Sequence, residues 1–444
     1  MKIFKIYSLY MSVIIACLTL NSCKDYFGDV NIDPNAAVIA PPSALLPTIE
    51  ARYAYTYWGD FSRYSSIYTQ HVQGVDRQFA AYEDYNFVSD DFSSVWSNCY
   101  DGILMDIQRL KKDADARGFN RYGGIARALE ASTLLLVADF WGDAPYSDAF
   151  KLEAGVLQPK YDTQDQLYKT IIALLDEART KLKDGAGSSI PGSGSDIIYG
   201  GSVDKWTKFC NVLSAKVYLR LGKIDAANYA KGATELAKGG FKSSDESAGF
   251  QFLDITTGAA PWFQYNDQRA DLANNPSYAK LLTGLGDPRG GETSYGAAFD
   301  TDNPFWQQNQ NVILLGYTEQ KFIEAELSFR TSKPADAKTA LETAIKASMS
   351  EAAITNDSIV KFYLAKPAVN PAVTTLDAIM TQKYIALFTN PEVLNDIRRT
   401  GIPALKPNVG NSIPRRFLYP QTEIDLNGNT PKGLTIYSKV GWDK

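Results

Sequence analysis

The sequence predicts a mainly α-helical chain: irregular tetratricopeptide-like helix pairs, about four of them, with long loop excursions and a few short strands. Three observations carry this expectation. Apolar residues recur at spacings of three and four along successive stretches of the 444-residue chain, the period of a helix with one buried face. The stretches fall in neighbouring pairs, 95–117 with 124–138, 164–183 with 205–221 and 317–330 with 335–349. Helices that cannot each bury an apolar face alone do so by stacking. Between them lie polar segments punctuated by Gly, Ser and Pro, none of which separates two independent cores.

Residues 24–43 are polar and Pro-containing (NIDPNAAVIAPPS at the end) and read as an extended tether. In 53–68, Tyr53, Tyr57, Tyr64 and Tyr68 fall at helical spacing, a stripe that suits a core or a protein interface better than a ligand site. The run 124–138 (GIARALEASTLLLVA) is apolar nearly all round, as in a helix buried on most sides. In 164–183 the apolar set is Leu167, Ile171, Leu174, Leu175, Ala178 and Leu182. After a Gly/Ser-rich loop at 184–202, Trp206, Phe209, Cys210, Leu213, Val217 and Leu221 mark the helix 205–221. Ala337, Leu341, Ala344, Ile345 and Met349 mark 335–349, and Leu376, Ile379, Met380, Leu387 and Phe388 mark 375–389. Residues 241–312 and 401–444 show little helical period and read as long excursions, which in a compact domain are usually functional. The organisation expected is a leader at 1–22, a tether at 23–43 and one domain at 44–444.

Composition excludes more than it assigns. The formal net charge is −5, so nucleic acid is not an expected partner. The single histidine, His71, would have to serve every Ser-His or Cys-His arrangement, and multi-histidine metal sites are ruled out. There is no phosphate loop followed by Lys and no dinucleotide fingerprint. Asp425, Asn427 and Asn429 alternate like the start of a calcium loop, but Ile436 stands where its closing acid belongs. No metal, no cofactor and no enzymatic activity is expected; the composition points to binding.

The N-terminus reads as an export signal. Lys2 and Lys5 precede an apolar run from Ile6 to Leu20, shorter than a spanning helix needs. Leu20-Asn21-Ser22-Cys23 resembles a bacterial lipobox, which makes Cys23 the lipidation site and the membrane contact a lipid anchor only. Several acyl chains hold a protein where one is marginal. An acidic residue soon after, Asp25, resembles the surface-export signal of Bacteroidota lipoproteins. Cys99 and Cys210 are far apart in sequence; they could pair in an oxidising compartment, but two buried free thiols fit better.

A set of motifs then runs in order along the chain: DFWGDAPYSDAF (139–150), PKYDTQDQLY (159–168), DIIYGGSVDKWTKFCNVLSAKVYLRL (196–221), DPR (287–289), EQKFIEAEL (319–327), QKYIALFTN (382–390), RRTGIP (398–403), PRRFLYPQTE (414–423) and the closing Gly441-Trp442-Asp443. These resemble the SusD/RagB family of nutrient-binding outer-membrane lipoproteins. The resemblance implies about four tetratricopeptide-like pairs and a second face of loops. It also implies a surface location over a SusC-like TonB-dependent β-barrel transporter, with an oligosaccharide, or in some members a peptide, as ligand. A scaffold for the barrel that binds no nutrient is the other reading.

Trp141 in the first motif reads as a core plug, and the pairs Arg398-Arg399 and Arg415-Arg416 as partners of buried carboxylates such as Glu324 or Glu326. A glycan site needs aromatic planes beside planar polar groups. Two regions outside helical period offer these. One holds Asp76, Arg77, Tyr82 and Tyr85; the other holds Trp262, Tyr265 and Asn266 and, further on, Tyr295 and Trp306.

Overall fold

The computed structural model describes residues 40–184, 189–290 and 306–443. The leader, Cys23 and most of the tether lie outside them, as does Tyr295. Helix α1 spans 42–68, with one π-helical turn, Tyr57–Phe61, inserted between regular segments. Such a wide turn changes the direction in which later side chains point. Tyr53 and Tyr57 therefore face the helical scaffold, where their hydroxyls meet Ser132 at 2.6 Å and Asn390 at 2.9 Å. Tyr64 and Tyr68 enter a different cluster, edge-on to Phe87 and Phe417. All four are buried, so the tyrosine stripe is core.

Strand β1 (Val72–Gly74) and the short helix α2 (Arg77–Glu83) follow. Helix α3 covers 93–117 and carries its own π turn, Asn98–Leu104. Helix α4 (Asn120–Trp141) is buried along nearly its whole length, as its largely apolar sequence predicts, and its buried Arg127, Glu130 and Asp139 are ion-paired. Strands β2 (Ala144–Pro145) and β3 (Tyr161–Asp162) pair antiparallel and lead into α5 (Gln164–Lys183). Thr163 opens α5 with a capping box: its hydroxyl accepts from the Gln166 N–H while the Gln166 side chain accepts from the Thr163 N–H at 2.8 Å. Helices α4 and α5 pack closely because Gly124 has no side chain; a Cβ there would stand 3.0 Å from the Leu182 backbone nitrogen.

Helices α6 (Val203–Leu221) and α7 (Ala227–Ala237) form the next pair. Strand β4 (Ala248–Gln251), α8 (Pro261–Gln268), β5 (Leu272–Asn274) and α9 (Pro276–Leu285) make up the first long excursion. Strand β6 (Asn311–Leu315) returns to pair with β4, and α10 (Tyr317–Arg330) with α11 (Pro334–Glu351) forms the last pair. Helices α12 (Asp357–Leu364), α13 (Leu376–Ala386), α14 (Glu392–Thr400) and α15 (Gln421–Leu426) close the chain. Helices α3 and α4, and α10 and α11, pair as the sequence indicated. Helix α5 touches α6 as expected but packs more extensively on α4, and α6 more extensively on α7.

Residues from Pro42 onward group as one unit. Its core holds charge as well as hydrocarbon. Arg399 pairs with Glu326 at 2.6 Å and with Asp396 at 2.9 Å, while Arg220 bridges Glu392 at 2.7 Å and Asp139 at 3.1 Å. Burial alone would raise the Glu392 carboxyl, but Arg220, Lys216 and Lys383 hold it below its ordinary value. Asp287 and Arg289 pair with each other in the core, and Arg289 also donates to Ser348 and Gln382. Trp141 is fully buried and donates its indole N–H to the Leu418 carbonyl at 2.8 Å, which makes it a core plug. Asp139 beside it caps no turn; it accepts from Tyr168 and pairs with Arg220. Cys99 and Cys210 are free and buried. Among the described residues no helix is long and apolar enough to cross a membrane.

Candidate functional site

The two candidate regions meet. Strand β1 pairs antiparallel with β5, Gln73 opposite Ala273, which sets the Asp76–Tyr85 segment against α8 and the turn after it. Arg77 reaches across the join to the Arg269 carbonyl at 2.8 Å and to the buried Asp271 carboxylate, which Arg269 also pairs at 2.7 Å. Asp76 is exposed and accepts from the Arg77 backbone N–H. Tyr265 is half-buried with the Arg63 guanidinium 4.0 Å over its ring, and Asn266 is half-buried beside it.

The structure corrects the role expected of four aromatic residues. Tyr82 is buried, stacked on Phe87 at 4.2 Å with its hydroxyl on Asp91; Tyr85 is buried with its hydroxyl accepting from the Asn408 N–H. Trp262 and Trp306 are both 0% exposed, their rings 5.3 Å apart. Pro261 starts α8 and turns Trp262 inward, where its N–H donates to Ser62 at 3.0 Å. Neither indole offers a face to solvent. They form a floor, not a platform.

That floor supports a cleft the aromatic pattern did not reveal. Trp306 packs on Phe388, and above Phe388 and Trp58 opens a cavity of 310 Å³. One wall is the turn into β6, with Gln307, Asn309, Gln310 and Asn311; the other is Thr318, Glu319 and Glu351. Gln310 Oε1 and Glu319 Oε2 are buried without a hydrogen-bond partner. Glu319 Oε1 takes Lys216 Nζ at 2.8 Å. The side chains of Gln307, Asn309 and Asn311 are exposed along the cavity, and such amides suit a ligand rich in hydrogen-bonding groups. The sequence signal was present as five consecutive amide residues, 307–311 (QQNQN), directly after Trp306, but the indole drew the expectation and the amides did not.

His71 takes no part. Its Nδ1 accepts from the Thr389 N–H at 3.0 Å, which leaves the proton on Nε2, facing the Tyr384 carbonyl at 3.0 Å. Burial lowers its pKa to about 3, so the ring is neutral. Among the described residues no group of three or more His, Cys, Asp or Glu could hold a metal ion.

A family profile described as starch-binding associating with outer membrane, SusD-like, matches residues 34–304 and 292–420. The chain belongs to the SusD-like family. Solved structures show the same fold. A SusD/RagB family protein from Bacteroides thetaiotaomicron is 23% identical with a TM-score of 0.75, over 91% of this chain and 99% of that one. A chitin-binding protein is 21% identical with a TM-score of 0.76, over 91% and 100%. A SusD-like protein of Bacteroidetes AC2a is 18% identical with a TM-score of 0.78, over 91% and 100%. No curated protein matches the chain. The paired-helix scaffold read from the sequence is thus the SusD-like scaffold.

Proposed function

We propose that this SusD-like chain is a cell-surface lipoprotein that captures oligosaccharides in the 307–311 cleft and delivers them to a SusC-like TonB-dependent transporter. The observation that carries the reading is the amide-lined cavity over an aromatic floor. Sugar rings present apolar C–H faces to such a floor and hydroxyls to such walls. The family description and the chitin-binding protein of the same fold support a glycan over a peptide. The lipobox at Cys23 supports anchoring by lipid. Binding is reversible and leaves glycosidic bonds intact; the one histidine lies buried beside the cleft floor, 5.2 Å from the Phe388 ring, with both ring nitrogens bonded to the backbone.

Titration calorimetry against a panel of neutral oligosaccharides and a peptide mixture tests the reading. The double variant Asn309→Ala/Asn311→Ala should weaken glycan binding by about tenfold or more, at roughly 1 kcal/mol per lost hydrogen bond, with an unchanged melting temperature. Undiminished affinity would remove the cleft from the site. Binding of peptides alone would replace the ligand class.

A further inference from the structure

The charged groups of the cleft are all of one kind. Among the described residues that line it there is no Lys, Arg or His, whereas Glu319 and Glu351 are present. Glu319 is offset from behind by Lys216, which also pairs with Glu392 at 3.1 Å. Glu351 has no such cation. It is the last residue of α11 and lies exposed at the edge of the cavity. Its Oε1 accepts both from Thr318 Oγ1 at 2.7 Å and from Ser244 Oγ at 3.2 Å, so the carboxylate is fixed in place while Oε2 keeps its lone pairs. The amides of Asn309 and Asn311 serve either role.

We propose that the cleft selects saccharides bearing a free amine, with Glu351 as the residue that sets this preference. The proposal rests on reading the cleft as the glycan site. An ammonium group carries three donors and no acceptor, the complement of what the walls leave open. A uronate or sulfate group is acceptor-only. It would surrender its hydration to a cavity with no counter-charge and face carboxylates of its own sign. A neutral sugar falls between, since its hydroxyls donate to the same acceptors without the ionic contribution.

Calorimetry at slightly acid pH, where a hexosamine is protonated, separates the cases with three probes of equal length. These are a β-1,4-glucosamine oligomer, its N-acetylated counterpart and an oligogalacturonate. The amine should bind roughly tenfold more tightly than the neutral oligomer, the increment of one charge-assisted hydrogen bond, and the acid most weakly. Glu351→Gln keeps acceptors for Thr318 and Ser244 and should collapse the amine-to-neutral ratio toward one. Asp165→Asn, an exposed acid outside the cleft, should leave the ratio as it is. Equal affinities for all three probes overturn the amine selectivity, and a ratio that survives in Glu351→Gln overturns the role of Glu351; either result leaves the glycan site standing. Failure of every probe to bind overturns both.

Discussion

Lowering the pH should unfold this protein partly through one residue. His71 is buried and neutral in the folded chain, with a pKa of about 3, against about 6.5 when exposed in the unfolded chain. The unfolded state therefore takes up a proton that the native state refuses. Stability is lost as pH falls through the unfolded value, and the loss grows until the folded value is reached. Between pH 7.5 and 5, linkage gives about 2 kcal/mol for this group. Glu50 acts in the opposite direction, because burial and the neighbouring Asp196 raise its carboxyl well above the ordinary value, so the native state holds that proton more tightly than the unfolded state does. The informative quantity is thus a difference. Urea denaturation of the wild type and of His71→Gln at both pH values should show the wild type losing about 2 kcal/mol more than the variant. Coincident pH dependences would refute the reasoning, since they would mean that the imidazole titrates alike in both states.

Trp262→Ala should lower stability by about 3–5 kcal/mol as a core truncation, read as a fall in melting temperature. Arg399→Ala removes the closest partner of Glu326, leaving only Arg330 at 3.4 Å, and should cost about 3–5 kcal/mol by urea titration. Glu50→Gln mimics the protonated acid that accepts from the Ile197 N–H at 2.8 Å, so its melting temperature relative to wild type should climb as pH rises.

The scaffold was legible where sequence period and local capping agreed. Helix α5 starts and ends where Leu167 to Leu182 and the Thr163 cap place it. Helix α7 was not, because it is short and fully buries just Tyr229 and Gly232 of ANYAKGATELA, too few positions to mark a period. Helix α8 hid in a polar, aromatic stretch, and its Trp262 read as a platform because nothing local reveals that Ser62 will take its N–H. The pairing of β1 with β5 is equally non-local, yet Gln73–Tyr85 and Trp262–Asn266 were each singled out by composition and proved adjacent. The cleft escaped notice for a chemical reason. Its aromatic floor comes from Trp58 and Phe388, each embedded in a helical period, and only the amides sit in the loop.

The wide turn at Tyr57–Phe61 bears on how α1 can change length. Deleting one residue there would let the backbone regain ordinary α-helical spacing, a local improvement. Because the wide turn absorbs one extra residue, removing that residue leaves every later side chain facing as before. Tyr64 and Tyr68 would keep Phe417, and Ser62 the Trp262 N–H. A deletion in the regular part of the helix has no such slack, and it should be tolerated less than one at the wide turn or one of equal size in the Gly/Ser-rich loop after α5.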